Sequence, residues 1–297
     1  MRKGLKAHGL APKNSQKNFV GFTIIEVMIV LAITGALLIL GGIIISGQQA
    51  KTQFSQSVND LQAQINDVIN NVATGYYANV ASFTDQYNCT DSSGPFFTKV
   101  TSPSLPNKQG ANEKCIFIGR AFQFTNTPNY NLFNIAGLRS TAGGINASTL
   151  AQALPKAISP GNSPPADFPN TTQKQQLDYG LTPTKMSYTS GTRVDIGAVA
   201  FVSHLGSYAT QQVDLIPITG STTPTLASTP ADVVDQINNL SSYGDAAANP
   251  AGGVSICFQS FVSSSQYAVI TIDGQNRQLV TKLNYYTSVT APAGVCS

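Results

Sequence analysis

The rhythm of apolar positions divides the chain into three stretches. Residues 22–45, FTIIEVMIVLAITGALLILGGIII, are 24 consecutive residues with one charge, Glu26, and no proline. A run of 18 or more apolar residues is long enough, at about 1.5 Å per residue, to cross a bilayer core as a helix. Beyond it, Phe54, Val58, Leu61, Ile65, Val68 and Val72 recur at spacings of 4, 3, 4, 3 and 4, one stripe of an amphipathic helix. Gln53, Gln56, Asn59, Gln62 and Asn66 occupy its other faces. Together these predict a helix from Phe22 to about Thr74, ending before Gly75 and roughly 80 Å long. A coiled coil would use the same stripe, but three heptads are short and the flanking charges are missing. Packing against the chain's own globular domain is the expectation.

From Tyr76 onward short apolar runs alternate with Gly, Pro, Ser and Asn, the texture of strands and turns. Strands are expected at Ile116–Phe124, Val194–Ser203, Gln212–Ile218, Val254–Phe261, Tyr267–Ile272 and Gln278–Tyr286. The last two flank Asp273-Gly274-Gln275-Asn276, whose Asp-Gly step favours a hairpin turn. Thr229 is placed to cap a helix running from Pro230 to about Leu240. A shorter helix is expected within Ala147–Ala157, interrupted by Pro155. Residues 159–170 and 221–230 are proline-rich loops, and no internal repeat is present.

Charge sharpens this division. Only 10% of the 297 residues are charged, yet residues 1–21 hold five of the 17 basic ones (Arg2, Lys3, Lys6, Lys13, Lys17) and no acid. The remaining 12 basic and 14 acidic groups leave the rest at a net −2, with no basic stripe suited to nucleic acid. With the basic leader before the apolar run and only Lys51 close after it, the positive-inside rule keeps the leader cytoplasmic and exports residues 46–297. A cleaved signal peptide fits less well: its core is usually 7–15 residues, and GQQAK is a poor cleavage site. A lipoprotein would need a cysteine at the end of the run, and the first cysteine is Cys89.

Glu26 is the exception inside the run. A carboxylate there costs a few kcal/mol unless it snorkels to the headgroups or meets a partner. Gly21-Phe22-Thr23-Ile24-Ile25-Glu26, after a basic leader and opening a long apolar run, resembles the type IV prepilin signature. That resemblance covers residues 1–75. It implies cleavage by a membrane prepilin peptidase between Gly21 and Phe22, followed by N-methylation of Phe22. It also implies an assembly role for Glu26, pairing with the amino terminus of a neighbouring subunit, so that the compensating charge exists only after cleavage. Many pilins carry a proline midway along this helix. Here Gly35, Gly41 and Gly42 are the weak points, each costing about 1 kcal/mol of helix propensity relative to alanine. They serve either close helix packing or local melting on assembly.

Cys89, Cys115, Cys257 and Cys296 all fall in the exported part, an even number in an oxidising compartment. Four cysteines allow three pairings; nearest neighbours give Cys89–Cys115 and Cys257–Cys296. The second is similar to the disulfide that bounds the C-terminal region of many pilins. With no C-x-x-C pair and one histidine, His204, left after cleavage, neither a metal nor a cofactor is expected. A hydrolytic triad would have to combine His204 with Ser203 or another serine and with Asp195 or Asp214. No phosphate loop, G-x-S-x-G or dinucleotide fingerprint is present, and no catalytic residue is assigned. Asp232 and Asp235 suit the first turns of a helix.

The expected fold class is α+β, a long N-terminal helix packed on a mainly antiparallel sheet, with a leader at 1–21, the helix at 22–75 and an exported domain at 76–297. The expected function is that of a non-enzymatic filament subunit, held in the cytoplasmic membrane as a prepilin and then assembled into an extracellular pilus. Its partners would be copies of itself, other pilins, the prepilin peptidase, the assembly machinery, the bilayer before assembly, and a surface, host-cell or DNA ligand. A type II secretion pseudopilin, a minor or tip pilin, an anchored adhesin and an anchored hydrolase are the alternatives.

Overall fold

A computed structural model describes residues 23–75, 87–90, 96–99, 115–141, 143–157, 173–206, 212–220, 222–261, 265–274, 278–287, 291 and 296. Gly21, Phe22, the leader and the loop at 159–170 lie outside the described residues, as do the side chains at 41–47, Cys89 and Cys115.

The elements run in the order α1 (Ile24–Ala73), β1 (Tyr87–Thr90), β2 (Phe96–Lys99), β3 (Cys115–Phe124), β4 (Asn129–Leu138), α2 (Leu150–Ala153), β5 (Lys156–Ala157), β6 (Gln173–Gln176), β7 (Thr182–Ser190), β8 (Thr192–Asp195), β9 (Ala198–Ser203), β10 (Val213–Pro217), α3 (Pro230–Asn238), α4 (Leu240–Ala247), β11 (Val254–Gln259), β12 (Gln266–Asp273) and β13 (Val280–Thr287). Contacts divide the chain into two units, residues 1–49 and 50–297.

In the first unit the described apolar side chains from Ile24 to Leu40 are exposed, and no described residue of the unit is buried. In the second unit, β10-β9-β3-β4-β5 form an antiparallel sheet, with β6 also paired to β4. A second antiparallel sheet has the order β13-β12-β11-β7-β8, and β1 and β2 form a separate pair.

One core is shared by both large sheets and by the last turns of α1. Phe54, Val58, Leu61, Ile65, Val68 and Val72 are all buried in it. Phe122, Phe124 and Phe201 meet them from the first sheet; Met186, Ile256, Phe258 and Ile270 do so from the second. Phe124 of β3 and Phe258 of β11 close the join edge to face, with ring centroids 5.7 Å apart. The outer face of the first sheet is covered by α3, α4 and Leu150 of α2 through a second cluster around Ile118, Ala200, Val233 and Ile237. On the outer face of the second sheet, Cys257, Tyr267 and Val269 pack with Cys296 and Ala291 of the chain end.

The expected fold class is therefore corrected. The body is mostly β, built from two antiparallel sheets rather than one, and no long apolar helix lies along it. Only the stretch from Ala50 of α1 belongs to the body, because the inward-facing stripe begins at Phe54. Among the described residues no helix is long and apolar enough to cross a membrane. The helix's polar side is also not simply solvated. Gln62 donates to the Thr281 hydroxyl (3.0 Å) and carbonyl (3.2 Å), and the Thr281 hydroxyl donates to Asn66 (3.0 Å), so β13 fastens to that side.

The expected strand Val194–Ser203 is two strands in different sheets. The chain leaves the second sheet after Asp195 and joins the first at Ala198. Gly197 sits at the crossing, where a Cβ would collide with the Thr225 carbonyl. Downstream, α3 begins where expected. The Thr229 side chain accepts from the Asp232 amide while Asp232 accepts from the Thr229 amide at 2.7 Å, a reciprocal capping box. The Thr229 hydroxyl, first, and its amide, second, hold the Asp232 carboxyl below its ordinary range.

Tyr130 ties β4 to α1, its hydroxyl donating to Gln64 at 2.5 Å. Burial, with a smaller contribution from the Asp178 charge, pushes its phenol up to about 12, and burial does the same at Tyr243. Both groups ionise more readily unfolded, so the stability they contribute is complete below the ordinary value of 10.0 and is lost as pH rises toward 12. Thermal melts across that window are expected to show a falling Tm, with a smaller fall in a Tyr130→Phe/Tyr243→Phe double variant. An unchanged slope in the variant would contradict this.

Candidate functional site

The first turn of α1 gives Glu26 a partner within its own chain. The Thr23 amide and hydroxyl donate to Glu26 Oε2 at 2.9 and 3.0 Å, and the Glu26 amide donates to Thr23 Oγ1 at 3.3 Å. This is a capping box that satisfies otherwise orphaned helix N–H groups. Thr23 is the residue missed in the sequence; its T-x-x-E spacing was the available signal. The carboxylate serves this local task while remaining exposed. A second turn along, the Thr34 hydroxyl donates back to the Val30 carbonyl at 2.8 Å. Gly35 follows it, and a Cβ at Gly35 would meet nothing within 4 Å. The single chain therefore has no steric need for glycine there. Gly41 and Gly42 lie inside α1, their surroundings outside the described residues.

Cys257 and Cys296 are joined, with Cα atoms 5.5 Å apart and a sequence separation of 39. The bond fastens the penultimate residue to the middle of β11. The Cys89–Cys115 pairing falls outside the described side chains; β1 and β3 carry the two residues.

The residues singled out for a triad are arranged differently. His204 Nδ1 lies 2.8 Å from Asp214 Oδ2, at the end of the β9–β10 pair where the chain passes from one strand to the other. The Ser203 hydroxyl points elsewhere, donating to the Val72 carbonyl at 3.0 Å in the last turn of α1. Asp195 pairs with Lys185 at 3.5 Å. Asp214 Oδ1 instead accepts from Asn249 Nδ2 at 2.7 Å, while Asn249 Oδ1 accepts from the Leu215 amide at 2.9 Å. The Asn249 amide donates to the Leu215 carbonyl at 2.7 Å, which completes a two-way tie between the loop after α4 and the edge strand β10. Asn249 takes φ 53°, a left-handed conformation that asparagine tolerates better than most residues. The carboxylate thus works as a bracket joining an edge strand, a histidine and a loop. Among the described residues, no three His, Cys, Asp or Glu side chains gather in a way that could hold a metal.

The sites expected from the sequence are thus separate: a capped acid at the start of α1, a disulfide on the outer face of the second sheet, and a His-Asp-Asn bracket at the edge of the first. Asn249→Ala removes both side-chain bonds of that bracket and a residue suited to positive φ. It is expected to cost about 1–3 kcal/mol in urea unfolding. His204→Ala, losing one partly exposed pair, should cost under about 1 kcal/mol. The reverse order would contradict the bracket. Compared with known protein families, with characterised proteins and with solved structures, the chain matches none.

Proposed function

We propose that the chain is a type IV pilin-like structural subunit, cut between Gly21 and Phe22 and polymerised through the apolar segment that begins at Phe22. The observation that carries this reading is the run Gly21-Phe22-Thr23-Ile24-Ile25-Glu26, set between a basic leader and 24 largely apolar residues. Two features of the described residues support it. The apolar side chains of Ile24–Leu40 have no cover in the single chain, which suits a segment whose partners are lipid and then sister segments. The Glu26 carboxylate is exposed and oriented by Thr23, so a new amino terminus at Phe22, one residue before Thr23, need not reorganise it.

The chemistry follows from charge bookkeeping. Before cleavage the carboxylate has no cationic partner in the apolar run, and it lies at the end where it can reach the headgroups. Cleavage creates an ammonium group at Phe22. In a filament core that group and Glu26 of a neighbour neutralise each other, and methylation retains the positive charge. Removing one member of a desolvated pair costs roughly 3–5 kcal/mol. Assembly should therefore depend on the pair, while cleavage should not.

Edman sequencing and intact mass of the native chain, from membranes and from sheared surface material, test the proposal. A chain beginning at methylated Phe22 in the sheared fraction is expected. A chain still beginning at Met1, or cut after residue 45, would overturn it. Glu26→Val should leave cleavage intact and lower filament incorporation about tenfold or more. Thr23→Ala, which removes the capping box and keeps the acid, should assemble at close to normal yield. Equal losses in the two variants would assign Glu26 to helix capping alone.

A further inference from the structure

Among the described residues of the body few large apolar side chains are exposed, and the aromatic ones are not scattered. Of the six described ones after residue 50, four are aromatic: Tyr179, Phe261, Tyr285 and Tyr286. All four lie at one end of the second sheet. Tyr286 pairs in register with Tyr267, which pairs with Gln259, two residues before Phe261. Gln259 pairs in turn with Thr182, just after Tyr179 and Gly180. A Cβ on Gly180 would meet the Phe261 side chain, so the two exposed rings arise from adjoining backbone. Tyr179 and Gly180 take φ 50° and 69°, a tight left-handed turn held in place where the Asp178 carbonyl accepts from Ser57 at 2.8 Å.

That end is also where the chain enters the body. Tyr285 stacks edge to face on Phe54, with centroids 6.4 Å apart, and exchanges hydrogen bonds with Ser55. At the far end of the same helical stretch, Val72 meets Ser203. Eight residues, 46–53, separate the apolar run from Phe54, a tether of at most about 30 Å even fully extended. Among the described residues charge is sparse at this end: Asp178, Asp60 one turn after Ser57, and Lys51 one turn before Ser55.

Exposed phenol and phenyl rings, little charge and a short tether to a lipid-seeking segment are the composition of a membrane-interface belt, where a ring buries its apolar body and keeps its hydroxyl wet. We propose that Tyr179, Phe261, Tyr285 and Tyr286 form a rim that seats the body in the headgroup layer before assembly. Lys51 would face anionic headgroups. This rests on the reading of residues 22–45 as a membrane segment. It adds a second, weaker contact that sets the body's orientation on the bilayer and must be released when the subunit is extracted.

The chain contains no tryptophan, so one introduced indole is an unambiguous reporter. The full chain would be reconstituted into phosphatidylethanolamine/phosphatidylglycerol vesicles with lipids brominated near the carbonyl. Phe261→Trp is compared with Ile145→Trp, an exposed apolar position in the turn after β4 of the first sheet. Emission from the Phe261→Trp variant is expected to be blue-shifted and roughly halved by the brominated lipid, with the Ile145→Trp variant unaffected. Chain that floats with the vesicles but shows no quenching at position 261, or equal quenching at both positions, overturns the rim and leaves the membrane segment standing. Chain that does not float with vesicles overturns both. A blue shift that appears only in filaments, without lipid quenching, assigns the rim to a neighbouring subunit instead and overturns the proposal.

Discussion

The body depends on one stripe of helix that two sheets share. Phe54, Val58, Leu61, Ile65, Val68 and Val72 fill the space between inner faces that would otherwise end in water. Neither sheet closes that space alone: the first supplies Phe122, Phe124 and Phe201, the second Met186, Ile256, Phe258 and Ile270. Because interiors pack at near-crystalline density, a void at Leu61 would be felt by both. The polar side of the same helix is engaged as well, through Gln62 and Asn66 on Thr281, Gln64 on Tyr130 and Ser57 on the Asp178 carbonyl. Hydrophobic burial positions the helix, and these bonds fix its rotation.

Functionally, this arrangement leaves the two units with opposite requirements. Among the described residues the body buries most of its apolar groups internally, covering its outer faces with α3 and α4 on one side and a disulfide-fastened chain end on the other. The described residues before Gln49 satisfy almost none of theirs. Glu26 itself is held within its own chain, by the amide and hydroxyl of Thr23.

Much of the body was legible because its signals are local. The 4-3 spacing from Phe54 to Val72 marked the core-facing side of the helix, Thr229-Pro230 marked the start of α3, and Asp273-Gly274 marked the hairpin of β12 and β13. What was missed depended on distant partners. β4, NYNLFNIAGL, reads as broken by asparagines, but Asn131 donates to Gln123 on β3 at 2.9 Å and Gln123 in turn holds the Ser228 carbonyl. β7 contains Pro183, which normally argues against an inner strand; it is tolerated because the register shifts there, at a bulge opposite Cys257 and Phe258. The change of sheets at Gly197 is set by the loop at Thr225 and leaves no local mark beyond one glycine. The choice between one sheet and two was therefore not readable from strand patterns, which show that a face is buried but not what buries it. At the candidate site the same rule holds: T-x-x-E announces the cap at Glu26, whereas the His204-Asp214-Asn249 bracket joins residues up to 45 positions apart and appears only in the fold.

Native-state hydrogen exchange on Leu61→Ala, alongside the unaltered chain, tests the shared core most directly. Truncating this fully buried leucine should cost about 2–5 kcal/mol. If the helix is common to both sheets, amides of β3 and β9 and amides of β11 and β12 lose protection together and by similar amounts. Loss confined to one sheet, with the other keeping its full protection, would show that the sheets stand independently and would contradict the account.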